Sequence, residues 1–294
     1  FILQTLPLLH RTLGGDALAL MLARSHTPAD ADPAQDDPEA LHLWVDVGAR
    51  VEVLAHHNRR WTALAAPTLA GLEGVAPLQD AMFAAPGAIA DLQWGQHPGE
   101  ITLNIIDAEA PLGLAPCAYL HFTHAARQRR LIDHLGLFPE TLPDRSPRLR
   151  DSHSCPGRFF RLADTPDGSL DITEADIALV LQTKAAVHAA VLTLLRHLDR
   201  QPQHITRITL TGEVARFAHP HAILGIGMLP DLPADRLRCE PEALFHGLRR
   251  LADTHAAVQL QDHLDPITCL DLPADPRLTD HYRQAYLDHL PLPA

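Results

Sequence analysis

The chain has 294 residues, of which 46% are apolar and 20% charged; this is enough to bury a core and excludes a disordered polymer. With 36 acidic and 24 basic side chains its net charge is -12, a poor match for a phosphate backbone, which excludes general nucleic-acid binding. Cys117, Cys155, Cys239 and Cys269 stand far apart with no Cys-x-x-Cys pair, which argues against a zinc knuckle or an iron–sulfur ligand run in this chain and suits a reducing cytoplasm.

No uninterrupted apolar run approaches the roughly 18 residues of a membrane span. No charged n-region opens the chain, so neither membrane insertion nor secretion is expected. The chain begins at Phe1 without an initiator Met, which suggests a piece of a longer polypeptide.

In chain order, Gly14-Gly15-Asp16 precedes a short helix over Ala17–Arg24. His26–Ala40 carries Pro28, Pro33 and Pro38 among acidic residues and reads as a solvated linker. Residues 1–40 are therefore a connecting segment and residues 41–294 a globular unit. The run Leu41–Val47 predicts a buried strand ending in Asp46 and Gly48. Val51–Ala55 and Trp61–Ala65, turned at Asn58-Arg59-Arg60, complete a meander. Ile101–Ile106 is a further strand. Pro116 suits a first helical turn, and that helix is expected to run to about His134. The proline-rich stretch 139–169 is a surface excursion or hairpin.

The clearest element is a helix over Thr173–Leu198. Thr173 is a good N-cap with Asp176 at its third helical position, and apolar residues from Ile177 to Leu195 recur at helical spacing. Ile205–Thr211 follows as a strand stopping at Gly212. Pro220–Met228, Pro241–Ala252 and Leu278–Leu287 predict helices, and Val258–Leu260 a short strand. The fold class is α/β. A meander with Asp at its first strand's end, a long helix and a strand ending in Gly is the order of a ribonuclease H-like lobe of the actin/hexokinase/heat-shock chaperone ATPase superfamily.

Six segments in order resemble reductive activators of corrinoid proteins: Trp44 to Glu52, Gly71-Leu72-Glu73-Gly74, Ala84-Ala85-Pro86-Gly87-Ala88-Ile89, Asp171 to Ala186, Ile208-Thr209-Leu210-Thr211-Gly212, and Gly225 to Pro230. The resemblance implies an ATP-driven return of Co(II) corrinoid to Co(I), in a protein with a ferredoxin domain and a two-lobed ATPase unit. The chain corresponds to the second lobe only, with residues 1–40 as the inter-lobe helix and acidic linker. Neither ferredoxin cysteines nor the first phosphate loop is present in it. The implied partners are a corrinoid protein or another lobe or subunit of the activator, with a homodimer as a further option.

By this resemblance the candidate nucleotide-binding residues are Asp46, Gly48, Arg50, Glu52, Lys184 and Gly212. Such a lobe holds phosphate by backbone N–H groups and hydroxyls at a tight turn, with an Asp positioning the metal or its water. The family's polar residues at the turn are Ala49 and Arg50 here, and its next glycine is Val51. Arg50 would clamp a phosphate or stay solvated. The family's Gly-Gly-Phe-Gly is Gly212-Glu213-Val214-Ala215, so Glu213 either repels a triphosphate or is an exposed turn residue. Glu240 and Glu242 read as an acidic first helical turn. Lys184 either reaches a phosphate or ribose, or snorkels at the edge of the helix face. ATP with Mg is thus expected to bind weakly or not at all, leaving catalysis by this chain open.

Gly113 to Cys117 replaces the family's Gly-Ser-Gly helix entry, which weakens an anion site there. Ser152-His153-Ser154 beside Cys155 lacks a nucleophile elbow and a placed acid. His121 and His124 share a helical face, and His219 and His221 flank Pro220. Neither pair has a third ligand in the sequence, so no metal centre is expected.

Overall fold

A computed structural model describes residues 37, 39–47, 51–65, 78–97, 99–139, 146–151, 157–252, 267–271 and 276–287. The helix read over 17–24, most of the acidic linker, the strand at 258–260 and the Ser152 to Cys155 cluster lie outside them.

The central strand β1 (Leu41–Val47) is buried at all seven positions, so its apolar run reports a strand covered on both faces. It pairs antiparallel with β2 (Val51–His57), which pairs antiparallel with β3 (Arg60–Ala65). Asn58 and Arg59 take φ of 51° and 54°, the two-residue hairpin geometry that follows the right-handed twist of the strands. Later in the chain β10 (Ile205–Thr211) runs parallel to β1, and β11 (Leu237–Cys239) parallel to β10. A last strand, β12 (Ile267–Asp271), lies parallel to β3. The resulting order, β11-β10-β1-β2-β3-β12, contains the expected meander, extended on one side by the parallel β10 and β11 and on the other by β12, an edge strand that the sequence did not announce.

Between β3 and the long helix the chain builds two further three-stranded sheets. The first comprises β4 (Ala88–Trp94), β5 (Ile101–Ile105) and β6 (Gly113–Leu114). It leads into α1 (Pro116–Gln128), with Pro116 in the first turn as predicted. The second comprises β7 (Leu149–Asp151), β8 (Arg158–Thr165) and β9 (Gly168–Thr173), so the proline-rich excursion carries a sheet rather than a single hairpin. Trp94, Phe122 and Phe160 join α1 to both sheets, with ring centroids 5.2 to 5.8 Å apart. Such tilted aromatic contacts add to the burial that already favours this packing.

Helix α1 ends at Gln128, well short of His134. Arg130 turns to φ 58°, its N–H donates to the Arg127 carbonyl, and the Leu131 N–H donates to that of Ala126. This is a Schellman stop made without glycine, which hides it from a sequence reading. Helix α2 (Glu174–His197) stops the same way at Asp199, whose φ is 53°. Its start is as predicted: the Asp176 N–H donates to Thr173 Oγ1 at 3.1 Å, and the Thr173 N–H donates to Asp176 Oδ2 at 2.8 Å.

By length and composition α2 could cross a membrane, with a mean hydropathy of 1.6 over 18 residues, but 72% of that window is buried inside the protein. It is a core helix, packed on α1, β2, β3 and the final helix α6 (Pro276–Leu287). Three shorter helices follow α2 among the described residues: α3 (Glu213–Phe217), α4 (Pro220–Gly225) and α5 (Ala243–Ala252). Helix α4 is shorter than the predicted Pro220–Met228. Glu240 and Glu242 precede α5 instead of forming its first turn, and Glu242 is engaged by Arg216 at 3.0 Å.

Gln79 and Asp80 tie the start of the insertion to its end. The Gln79 N–H donates to Asp176 Oδ1 at 2.7 Å, and the Asp171 N–H donates to Asp80 Oδ2 at 3.0 Å. Burial first, then the charges of Asp171 and Asp176, raise the Asp80 carboxyl above its ordinary 3.8, against hydrogen bonds from Asp171 and Gln79. A carboxyl raised in the folded state favours folding below its unfolded value, and that contribution is lost as pH rises through the folded value. Asp80→Asn keeps an acceptor for the Asp171 N–H and suits the φ of 59° at this position. Thermal melts should therefore show the variant above the parent at pH 7, with the gap closing toward pH 4. An equal gap at both pH values would refute the charge argument.

Candidate functional site

Strands β1, β10 and β11 are mutually parallel, so their carboxyl ends lie along one edge of the large sheet. In open α/β sheets ligands bind at that edge. It carries Asp46 at the end of β1, Gly212 after β10, and Glu240 after β11, whose N–H donates to the Leu210 carbonyl at 2.9 Å. The topology thus brings Asp46 and Gly212 together.

Asp46 stands opposite Thr211 across the parallel pair and opposite Glu52 across the antiparallel one. Directly paired residues share a face, so the two carboxylates are neighbours on the sheet. Asp46 is only 8% exposed, and the fully buried Thr211 donates its hydroxyl to Asp46 Oδ2 at 2.6 Å. That short bond to a charged acceptor fixes the carboxylate against β10. Gly212 adopts φ 85° and ψ -177°, a region open essentially to glycine alone. A Cβ placed on it would sit 3.1 Å from Asp46 Oδ1, so the glycine backbone lies close against the acid. Thr211 stands in the resembling segment Ile208 to Gly212 but was not among the candidate binding residues.

Gly48 and Arg50 lie outside the described residues, as does Ala49. Glu213 opens α3 directly behind Gly212. Lys184 is 3% exposed within α2, inside the core; its side chain does not reach along the surface from an edge of the helix. The helix entry at Gly113 to Cys117 is filled. Cys117 is buried and its thiol donates to the Ala90 carbonyl at 3.3 Å, and Ala115 offers no side-chain cap. Cys239, on β11 near the same sheet edge, is a thiol whose pKa burial pushes up, which makes it a poor nucleophile.

A second cluster draws side chains from three places. Asp91 of β4, His121 of α1 and His219 just before α4 offer ligand atoms that all lie within 4.8 Å of one another. His124 and His221 stand beside them, so the two histidine pairs seen separately in the sequence are one group in space.

The family model described as the C-terminal domain of RACo, the ASKHA domain, matches residues 40–291. A solved structure titled "Reductive activator for corrinoid,iron-sulfur protein" is similar in fold, with a TM-score of 0.80 at 21% identity. The match covers 96% of this chain and 43% of that one, so the chain spans less than half the length of the solved protein. No curated protein matches the chain.

Proposed function

Because this chain belongs to the family of RACo C-terminal domains, the ASKHA domains, we propose that it serves as the second lobe of an ATP-dependent activator that returns a corrinoid protein from Co(II) to Co(I), with its own nucleotide motifs decayed. Its partners in this reading are the corrinoid protein and the remaining lobe and reductant domain of the activator, in the cytoplasm.

The observation that carries decay is the state of Asp46. One carboxylate oxygen accepts the Thr211 hydroxyl, and both oxygens lie within 3.3 Å of where a Cβ on Gly212 would stand, so the acid is engaged within the fold. An acid that positions a nucleotide-bound metal needs its oxygens turned to the ion or its waters. The residues at this edge therefore do not fit Mg-ATP well. The substitutions agree: Val51 resists positive φ, and Glu213 brings a negative charge to a position where the family has glycine.

The test is calorimetric titration of the purified chain with Mg-ATP and Mg-ADP to millimolar ligand, alongside a Val51→Gly, Glu213→Gly double variant. No saturable heat from the parent and a measurable gain in the restored variant is the expected result. Saturable binding to the parent, abolished by Asp46→Ala, would overturn decay and make the chain a working nucleotide lobe. Silence from both proteins would favour a platform for protein docking or dimerisation without nucleotide chemistry. The exposed apolar side chains Phe83 and Leu112, 66% and 71% accessible, favour that second reading.

A further inference from the structure

The cluster around Asp91 is built by elements that share no local sequence. A register shift between Ile89 and Asp91 in the β4–β5 ladder interrupts the alternation of side chains, a device that re-aims a residue out of a sheet. Asp91 Oδ1 lies 2.9 Å from His121 Nδ1, and Asp91 Oδ2 lies 3.0 Å from His219 Nε2. The His121 side chain is 4% exposed, that of Asp91 19%, and that of His219 46%. The site is therefore closed at its base on α1 and open to water on the His219 side.

His121 Nδ1 is buried and faces Asp91 Oδ1. Its other nitrogen, Nε2, accepts the His219 backbone N–H at 3.2 Å, which fixes the ring orientation. The His121 and His219 rings stack with centroids 4.4 Å apart, and His221 stacks on His219 at 5.5 Å. The carboxylate thus has one imidazole nitrogen on each oxygen, and three donor groups converge with their ligand atoms within 4.8 Å of one another.

We propose that Asp91, His121 and His219 bind a divalent transition-metal ion of the Zn2+ class, with the fourth position taken by water on the open side. Two imidazole nitrogens and one carboxylate oxygen form a donor set suited to Zn2+, Co2+ or Ni2+ and poor for Mg2+ or Ca2+. Ligand atoms bound at about 2.0–2.1 Å in a tetrahedron are roughly 3.3 Å apart; here one donor atom from each residue lies within 4.8 Å of the others, so binding draws them together by a small side-chain shift. The ion displaces any proton on His121 Nδ1. A neutral ring bound at Nδ1 carries its proton on Nε2, so the His219 N–H must give up its bond there, and that amide reports loading. Bound metal would tie the inserted sheet and α1 to the segment between Gly212 and α4. This inference stands apart from the nucleotide reading and neither requires nor supports it.

The experiment uses the full chain, stripped with chelator and titrated with CoCl2 alone. The expected result is one Co2+ per chain with the visible absorption of a tetrahedral ion, displaced by one equivalent of Zn2+ and accompanied by a higher melting temperature. Asp91→Asn and His219→Gln should each weaken binding at least about 100-fold. His246→Gln, on exposed α5, should leave it unchanged and controls for stray imidazole. His219 is half exposed, so its variant is expected to fold even where Asp91→Asn does not. Absence of stoichiometric uptake, a purely octahedral spectrum, or full affinity in folded His219→Gln would each overturn the proposal.

Discussion

Replacing Gly212 with valine is expected to lower stability by about 3 kcal/mol, from strain of roughly 1–3 kcal/mol and overpacking of similar size. The backbone there sits at φ 85° and ψ -177°, where a β-branched residue has no comfortable conformation. The new Cβ would also come within 3.1 Å of Asp46 Oδ1, and the extra methyls leave that carboxylate nowhere to move, because Thr211 holds its other oxygen at 2.6 Å. Chemical denaturation should show a lower midpoint with an unchanged slope. Gly212→Ala should fall between parent and valine variant. A valine variant within about 0.5 kcal/mol of the parent would show that the turn relaxes freely and that Asp46 is not pinned.

Asp176→Ala is expected to cost still more, about 3–5 kcal/mol, since each buried donor left without a partner costs roughly 1–3 kcal/mol. Asp176 is 1% exposed and accepts three hydrogen bonds: from the Gln79 N–H at 2.7 Å, the Thr173 N–H at 2.8 Å and the Thr173 hydroxyl at 2.6 Å. The loss therefore uncaps α2 and frees the start of the insertion together. Asp176→Asn retains an acceptor oxygen and should recover part of the loss. Equilibrium unfolding of both variants checks this, and equal effects of alanine and asparagine would show that charge at the helix start, rather than the bonding geometry, carries the stability.

Much of the large sheet was legible in the residues. The unbroken apolar run of β1, the short apolar runs of β2 and β3, and the turn between them are local patterns fixed by side-chain composition and backbone sterics. So is α2, whose cap and apolar spacing lie within one continuous segment, and so is β10 with the glycine after it. The resemblance then pointed to the family, and the match over residues 40–291 agrees with it. Less legible were the stops of α1 and α2, made by Arg130 and Asp199 in a conformation that usually advertises glycine. Of the two small sheets only β5 was legible, through its alternating Ile101–Ile105; β6 and β7 are two and three residues long, too short to carry a period.

For the sites the division is sharper. The sequence by itself determined that an Asp ends one strand, a Gly ends another, and two histidine pairs exist. Only the tertiary structure decided what each of them meets. Thr211 reaches Asp46 across 165 residues because β10 falls beside β1 in one register, and a one-residue slip would turn the hydroxyl away. Asp91 meets His219 across 128 residues because β4 shifts register just before it. Local periods and caps are written in neighbouring residues. Contacts between distant polar groups depend on strand register and on the packing of whole elements, and no short window of sequence contains either.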